Sequence, residues 1–140
     1  MTLAVVFTPA GLVTTELRGR IVFVVDVLRA GTTICAALAH GARAVVPVAD
    51  TQEALRLAQT LGPDETLLAG ERHCLRIPGF ALGNSPREML PDVVRGKTVI
   101  MTTMNGTAAL LAAASAKAVY LAGAANFSVS VALAREAWVR

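Results

Sequence analysis

Three short apolar runs each break off abruptly into polar, glycine-rich sequence, and this repeated break is what most limits the folds open to the chain. Val22-Phe23-Val24-Val25 runs into Asp26-Val27-Leu28-Arg29-Ala30-Gly31-Thr32-Thr33, Leu67-Leu68-Ala69-Gly70 into Glu71-Arg72, and Val99-Ile100-Met101 into Thr102-Thr103-Met104-Asn105-Gly106-Thr107. In an open α/β sheet, ligands bind at the carboxyl ends of the strands, so the three segments are placed to meet around one ligand. Their carboxylates, arginines, hydroxyls and glycines suit an anionic, phosphorylated ligand with a hard metal ion beside it.

Strand and helix signals alternate along the whole chain. Strands are expected over Leu3–Phe7, Arg20–Val25, Ala44–Val48, Leu67–Ala69, Thr98–Met101 and Ala118–Leu121. Helices are expected over Thr32–Ala39, ended by Gly41, and over Thr51–Leu61, where Asp50 caps and Glu53 stands at capping-box spacing. A long loop should cover Glu71–Ser85, followed by a helix at Ser85-Pro86-Arg87-Glu88 with Ser85 as cap and Pro86 at the first helical position. Gly106–Ala114 and Ser128–Val139 complete the helices. The expected architecture is α/β, a mostly parallel sheet with helices on both faces, and residues 1–140 form one α/β domain.

Composition narrows the function classes. A chain of 140 residues can bury roughly 68–70% of the surface that its unfolded form exposes, enough for one core. At 54% hydrophobic and 16% charged residues, its surface is lean in charge, which suits faces that meet a partner, and a homo-oligomer is expected. The net charge of +3 comes from scattered basic residues with no cluster, so nucleic acid is not an expected partner. Cys35 and Cys74 form no Cys-x-x-Cys pair, which argues against zinc or redox chemistry and fits a reducing, cytoplasmic setting. The uncharged runs from Thr98 to Ala116 and from Ala118 to Ala134 are broken by polar residues and glycine, so no membrane association is expected. The opening residues lack a basic region and read as a first strand, not as a signal peptide.

Asp26, at the mouth of its strand, can bind Mg²⁺, serve as base or nucleophile, or simply cap the next helix. Leu28 fills the place where a haloacid-dehalogenase-type phosphatase has its acid, so attack by water activated beside a metal is better supported than a covalent aspartyl-phosphate. Arg29 can fork onto phosphate or sulfonate oxygens, and the amides of Gly31, Thr32 and Thr33 open a helix that seats an anion. Glu71 and Arg72 can act as metal ligand and anion clamp, or merely pair with each other. Asn84 and Ser85 are further binding candidates, with helix capping the structural alternative. Asn105, Gly106 and Thr107 form a second helix-start seat, with the Thr102 and Thr103 hydroxyls beside it. His40 suits a helix end, and His73 lacks a second histidine for a transition-metal site.

These runs, together with Gly70-Glu71-Arg72, Ile77-Pro78-Gly79-Phe80 and Leu82-Gly83-Asn84-Ser85-Pro86, closely resemble the 2-phosphosulfolactate phosphatases, in order and over most of the chain. The resemblance implies a cytoplasmic, Mg-dependent hydrolase that releases phosphate from 2-phospho-3-sulfolactate on the route to coenzyme M. It supports the reaction type more strongly than the substrate. Two positions depart from the pattern: Ala81 stands where an Asp is usual, and Met104 where a third Thr is usual. The family pattern also runs on into a second half, so an assembly fragment or a non-catalytic phosphoanion-binding module are the alternatives to an active enzyme. On the leading reading Asp26, Arg29, Glu71 and Arg72 are catalytic, with Asp26 and Glu71 holding Mg²⁺. Gly31, Thr32, Thr33, Asn84, Ser85, Thr102, Thr103, Asn105, Gly106 and Thr107 contact a small phosphorylated substrate.

Overall fold

In the computed structural model, which describes residues 2–10, 12 and 14–139, the strand Thr98–Thr102 (β5) is buried at every position. It is buried because it lies between two parallel neighbours, Ala44–Pro47 (β2) and Thr66–Arg72 (β3), and has a helix on each face. Alternate residues of a strand point to opposite faces. Val99 and Met101 therefore pack with Ala30, Ile34 and Ala37 of Ala30–Ala39 (α1), while Ile100 packs with Val48, Phe80 and Ala54 of Thr51–Leu61 (α2). The short strand Leu75–Arg76 (β4) pairs antiparallel with β3.

A second parallel ladder joins Ile21–Val25 (β1) to Ala118–Ala122 (β6), in register from Ile21 opposite Ala118 to Val25 opposite Ala122. Phe23 and Tyr120 stack across it with ring centroids 5.2 Å apart. The remaining helices are Pro91–Val94 (α3), Gly106–Ala112 (α4) and Phe127–Val139 (α5). The α/β class and the parallel pairing agree with the sequence reading. The division of the strands into two sheets was not legible there.

Local signals set several elements correctly. Asp50 accepts the Glu53 amide at 2.8 Å and so caps α2, and the Glu53 carboxylate reaches back to the Ala49 amide at 2.8 Å. Arg43 reaches Glu65 at 2.7 Å, tying the start of β2 to the start of β3, and its hydrogen bond and charge hold the Glu65 carboxyl below its ordinary range.

Three expectations are corrected. Leu3–Phe7 is not a strand: residues 2–6 have no regular structure, and Leu3, Val5, Val6 and Phe7 are exposed. A strand exists only through its hydrogen-bonded partner, and this segment has none among the described residues. The Glu71–Ser85 loop instead begins as a β3–β4 hairpin, turned by His73 and Cys74 at φ 53° and 65°. Such turns usually carry Asn-Gly, so neither residue signals one. The helix expected at Ser85 stops after the single 3-10 turn Pro86–Glu88. Leu90 precedes Pro91, which forces it extended at ψ 150°. Ser85 makes no side-chain cap bond; Glu88 closes the turn by accepting the Gly83 amide at 2.8 Å.

Candidate functional site

β1 ends at Val25, and the next residue, Asp26, still donates its amide to the Ala122 carbonyl at 2.9 Å and so continues the ladder by one step. The backbone then turns away towards α1. Three glycines make room for this residue. A Cβ on Gly31 would lie 2.6 Å from the Asp26 carbonyl oxygen, one on Gly123 2.7 Å from the same atom, and one on Gly106 2.6 Å from Asp26 Oδ2. Real Cβ atoms do not approach so closely, so α1, α4 and the exit of β6 can converge on Asp26 only through glycine. Asp26 does not cap α1, whose N-cap is Arg29, without a side-chain cap bond.

The carboxylate itself is unusual in its surroundings. Asp26 Oδ1 is buried, and no group among the described residues donates to it. Leaving a buried carboxylate oxygen unpaired costs on the order of 1–3 kcal/mol or more. Its oxygen therefore fits a cation or a donor brought by a ligand.

At the start of α1, Thr33 directs both its amide and its hydroxyl to the Arg29 carbonyl, at 3.0 and 3.1 Å. Its hydroxyl is thereby committed to the helix, and Thr33 is fully buried. The amides of Ala30, Gly31 and Thr32 precede the first intrahelical donor, the Thr33 amide, and form the positive end of a ten-residue helix. The Arg29 residue is exposed and has no acidic partner among the described residues.

The loop from β5 to α4 is fixed from two sides. Thr103 and Thr107 cap each other: the Thr103 amide donates to Thr107 Oγ1 at 2.9 Å, and the Thr107 amide to Thr103 Oγ1 at 3.2 Å. Asn105 is exposed and makes no side-chain cap bond. From β3, the buried Glu71 carboxylate accepts the Met104 amide on Oε1 and the Cys74 amide on Oε2, each at 3.0 Å. Arg72 does not pair with Glu71. Its Nη1 donates to the Glu71 carbonyl at 2.8 Å and its Nη2 to Thr102 Oγ1 at 2.9 Å.

The structure thus gathers Asp26, Gly31, Gly106 and Thr103 at one point, with Arg29 and Thr32 at the same helix start. Glu71 is linked to them through the Met104 amide, and Arg72 lies with Thr102. Asn84 is buried with Oδ1 unpartnered among the described residues, and no hydrogen bond among them ties Asn84 or the Ser85 side chain to this group. Gly123 was missed by the sequence reading. Its signal was present, because it follows the apolar run Tyr120-Leu121-Ala122 just as the other site residues follow theirs.

Mg²⁺ is a hard ion that is held by one or two carboxylates together with waters and substrate phosphate. Asp26 fits, through its buried unpaired oxygen. Both Glu71 oxygens are engaged by backbone amides. Among the described residues no group of three His, Cys, Asp or Glu side chains is placed to hold an ion. His40 Nδ1 is turned to the Met89 carbonyl, and His73 is exposed in the hairpin turn. Burial raises the Cys35 thiol above its ordinary range. No helix of the described residues is long and apolar enough to cross a membrane.

A family model described as 2-phosphosulpholactate phosphatase matches residues 6–138. Proteins named probable 2-phosphosulfolactate phosphatase are similar to the chain. One from Symbiobacterium thermophilum is 48% identical over 79% of this chain and 48% of its own length. One from Caldanaerobacter subterraneus is 47% identical over 81% of this chain and 47% of its own length, and one from Clostridium beijerinckii 38% over 90% and 53%. The chain spans about half the length of the curated relatives it matches. With residues 6–138 covered by the family model, the chain belongs to the 2-phosphosulpholactate phosphatase family.

Proposed function

We propose that this chain carries the phosphate-ester site of a Mg-dependent phosphatase, with 2-phospho-3-sulfolactate as substrate and 3-sulfolactate and phosphate as products. The observation that carries the reading is the buried Asp26 oxygen, unpartnered among the described residues, between glycines at the mouth of a parallel strand. Asp26 holds the cation, and Glu71 holds the Met104 loop in place around it. Bound Mg²⁺ would neutralise phosphate charge and make an attacking water more acidic. Arg29 forks onto the phosphoryl oxygens, and the α1 amides of Ala30, Gly31 and Thr32 receive the charge that grows on them. A cytoplasmic setting and a place on the route to coenzyme M belong to the same proposal, and the family resemblance supports both.

A homo-oligomer is part of the same reading. It is supported by the exposure of Leu28 at 82%, in the loop after β1, and of Phe127 at 67%, at the start of α5. Binding of a phosphoanion without turnover is the second reading, favoured by Ala81 and by the engaged oxygens of Glu71. Phosphate release from 2-phospho-3-sulfolactate by the purified chain, with and without Mg²⁺, separates the two: metal-dependent release supports the enzyme, and binding without release supports the module.

A further inference from the structure

The two dipeptides that carry most of the polar groups at the end of the central sheet are each divided between its faces. On β5, Thr102 Oγ1 reaches the Ala49 carbonyl after β2 at 3.3 Å, while Thr103 caps α4 beside Gly106. On β3, Glu71 joins the Met104 amide, while Arg72 reaches Thr102. The alternation of strand residues requires this. Asp26 and Thr103 therefore lie on the α1 side of β5, and Arg72 with Thr102 on the α2 side.

Arg72 is half-buried, and no carboxylate among the described residues neutralises it. Two of its N–H groups are fixed by the Glu71 carbonyl and Thr102 Oγ1, which sets the plane of the guanidinium. Its remaining N–H groups have no protein acceptor among the described residues. A rigid, partly desolvated and unpaired guanidinium is a site for a carboxylate or sulfonate, whose two oxygens match its fork.

We infer that Arg72, held by Thr102, is a specificity-determining residue: it binds a second acidic group of the substrate, across the end of β5 from the phosphate that is transferred at Asp26. The inference rests on the proposed phosphatase reading for the position of that phosphate. It separates the two arginines, giving Arg29 to the transferring group and Arg72 to the acid group that stays with the alcohol.

The test uses the full chain and two unreactive probes, 3-sulfolactate and inorganic phosphate, titrated by calorimetry in the presence of Mg²⁺. Arg72→Gln should weaken 3-sulfolactate binding about tenfold or more, the weight of one lost charge-assisted hydrogen bond, and leave phosphate binding within about twofold. Thr102→Val, which frees the guanidinium from its anchor, should weaken 3-sulfolactate in the same direction. It also stands in for Arg72→Gln if that variant does not fold. Equal loss of both probes in Arg72→Gln would put Arg72 on the transferred phosphate and overturn the inference. So would undiminished 3-sulfolactate binding in Arg72→Gln and Thr102→Val, or no binding of 3-sulfolactate to the unaltered chain. Because the readout is binding, Arg72-dependent capture of 3-sulfolactate without any phosphate release would retain the subsite and remove only the catalytic reading.

Discussion

A Cβ on Gly106 would lie 2.6 Å from Asp26 Oδ2 and 2.6 Å from the Ala30 Cβ, so the first residue of α4 fits against the carboxylate only because it has no side chain. This contact couples the two ladders of the fold. Asp26 directly follows β1, and Gly106 begins the helix that follows β5, in the interior of the other sheet.

Gly106→Ala should therefore act on stability and on the site together. Forcing a methyl group into this contact is overpacking, which typically costs about 1–3 kcal/mol. Urea unfolding should show a loss in that range, and phosphate release should fall because the Asp26 carboxylate is displaced. A variant with wild-type stability and activity would mean that α4 is not held against Asp26.

Arg29→Ala tests the neutralisation of the transferring group. The side chain is exposed and has no acidic partner among the described residues, so its removal should leave the fold intact. Loss of one transition-state donor lowers kcat/KM by roughly 10²–10³-fold. A change below about threefold, far under that range, would return Arg29 to the surface.

Glu71→Gln separates a positioning role from metal binding. The carboxylate accepts two amides from different loops, and a Gln side chain can replace one acceptor but not both. The expected loss of stability is about 1.5–3 kcal/mol, the weight of a hydrogen bond to a charged group. The Mg²⁺ concentration for half-maximal activity should stay within about twofold, because the ion keeps its carboxylate at Asp26. A large rise in that concentration would show that Glu71 holds the metal directly.

Exposed apolar groups lead to a prediction of association. Val129, Trp138 and Val139 of α5 are exposed at 62%, 53% and 86%, and Phe127 at its start at 67%. Val131 and Leu133 of the same helix are half-buried. Sedimentation at micromolar concentration should give a mass above the 14.6 kDa of one chain, and Phe127→Asp should lower it. A stable monomer with unchanged solubility would remove the oligomer from the account.

The parts of this structure that follow from neighbours in sequence were legible, and those that depend on distant partners were not. Asp50 and Glu53 lie three residues apart and form their cap wherever the chain folds. Leu3–Phe7 has the composition of a strand and no partner to make it one among the described residues. The turn at His73 and Cys74 is set by β3–β4 pairing, not by turn-forming residues. At the site, Asp26, Arg29, Gly31 and Gly106 were legible because each follows an apolar run. The reason for the glycines was hidden: clearance for Asp26 is supplied by residues 5, 80 and 97 positions away in sequence, at Gly31, Gly106 and Gly123. The opposite faces taken by Glu71 and Arg72 follow from strand alternation once β3 is known to extend to Arg72. The sequence reading had ended that strand at Ala69.

The most direct test of the central claim, that Asp26 holds the catalytic cation, is a Mg²⁺ titration of phosphate release by Asp26→Asn. Removing one negative charge from an oxygen site should raise the half-maximal Mg²⁺ concentration about tenfold or more, with activity partly recovered at high Mg²⁺. Activity that is lost with the Mg²⁺ dependence unchanged would contradict the account and make Asp26 a base or nucleophile instead.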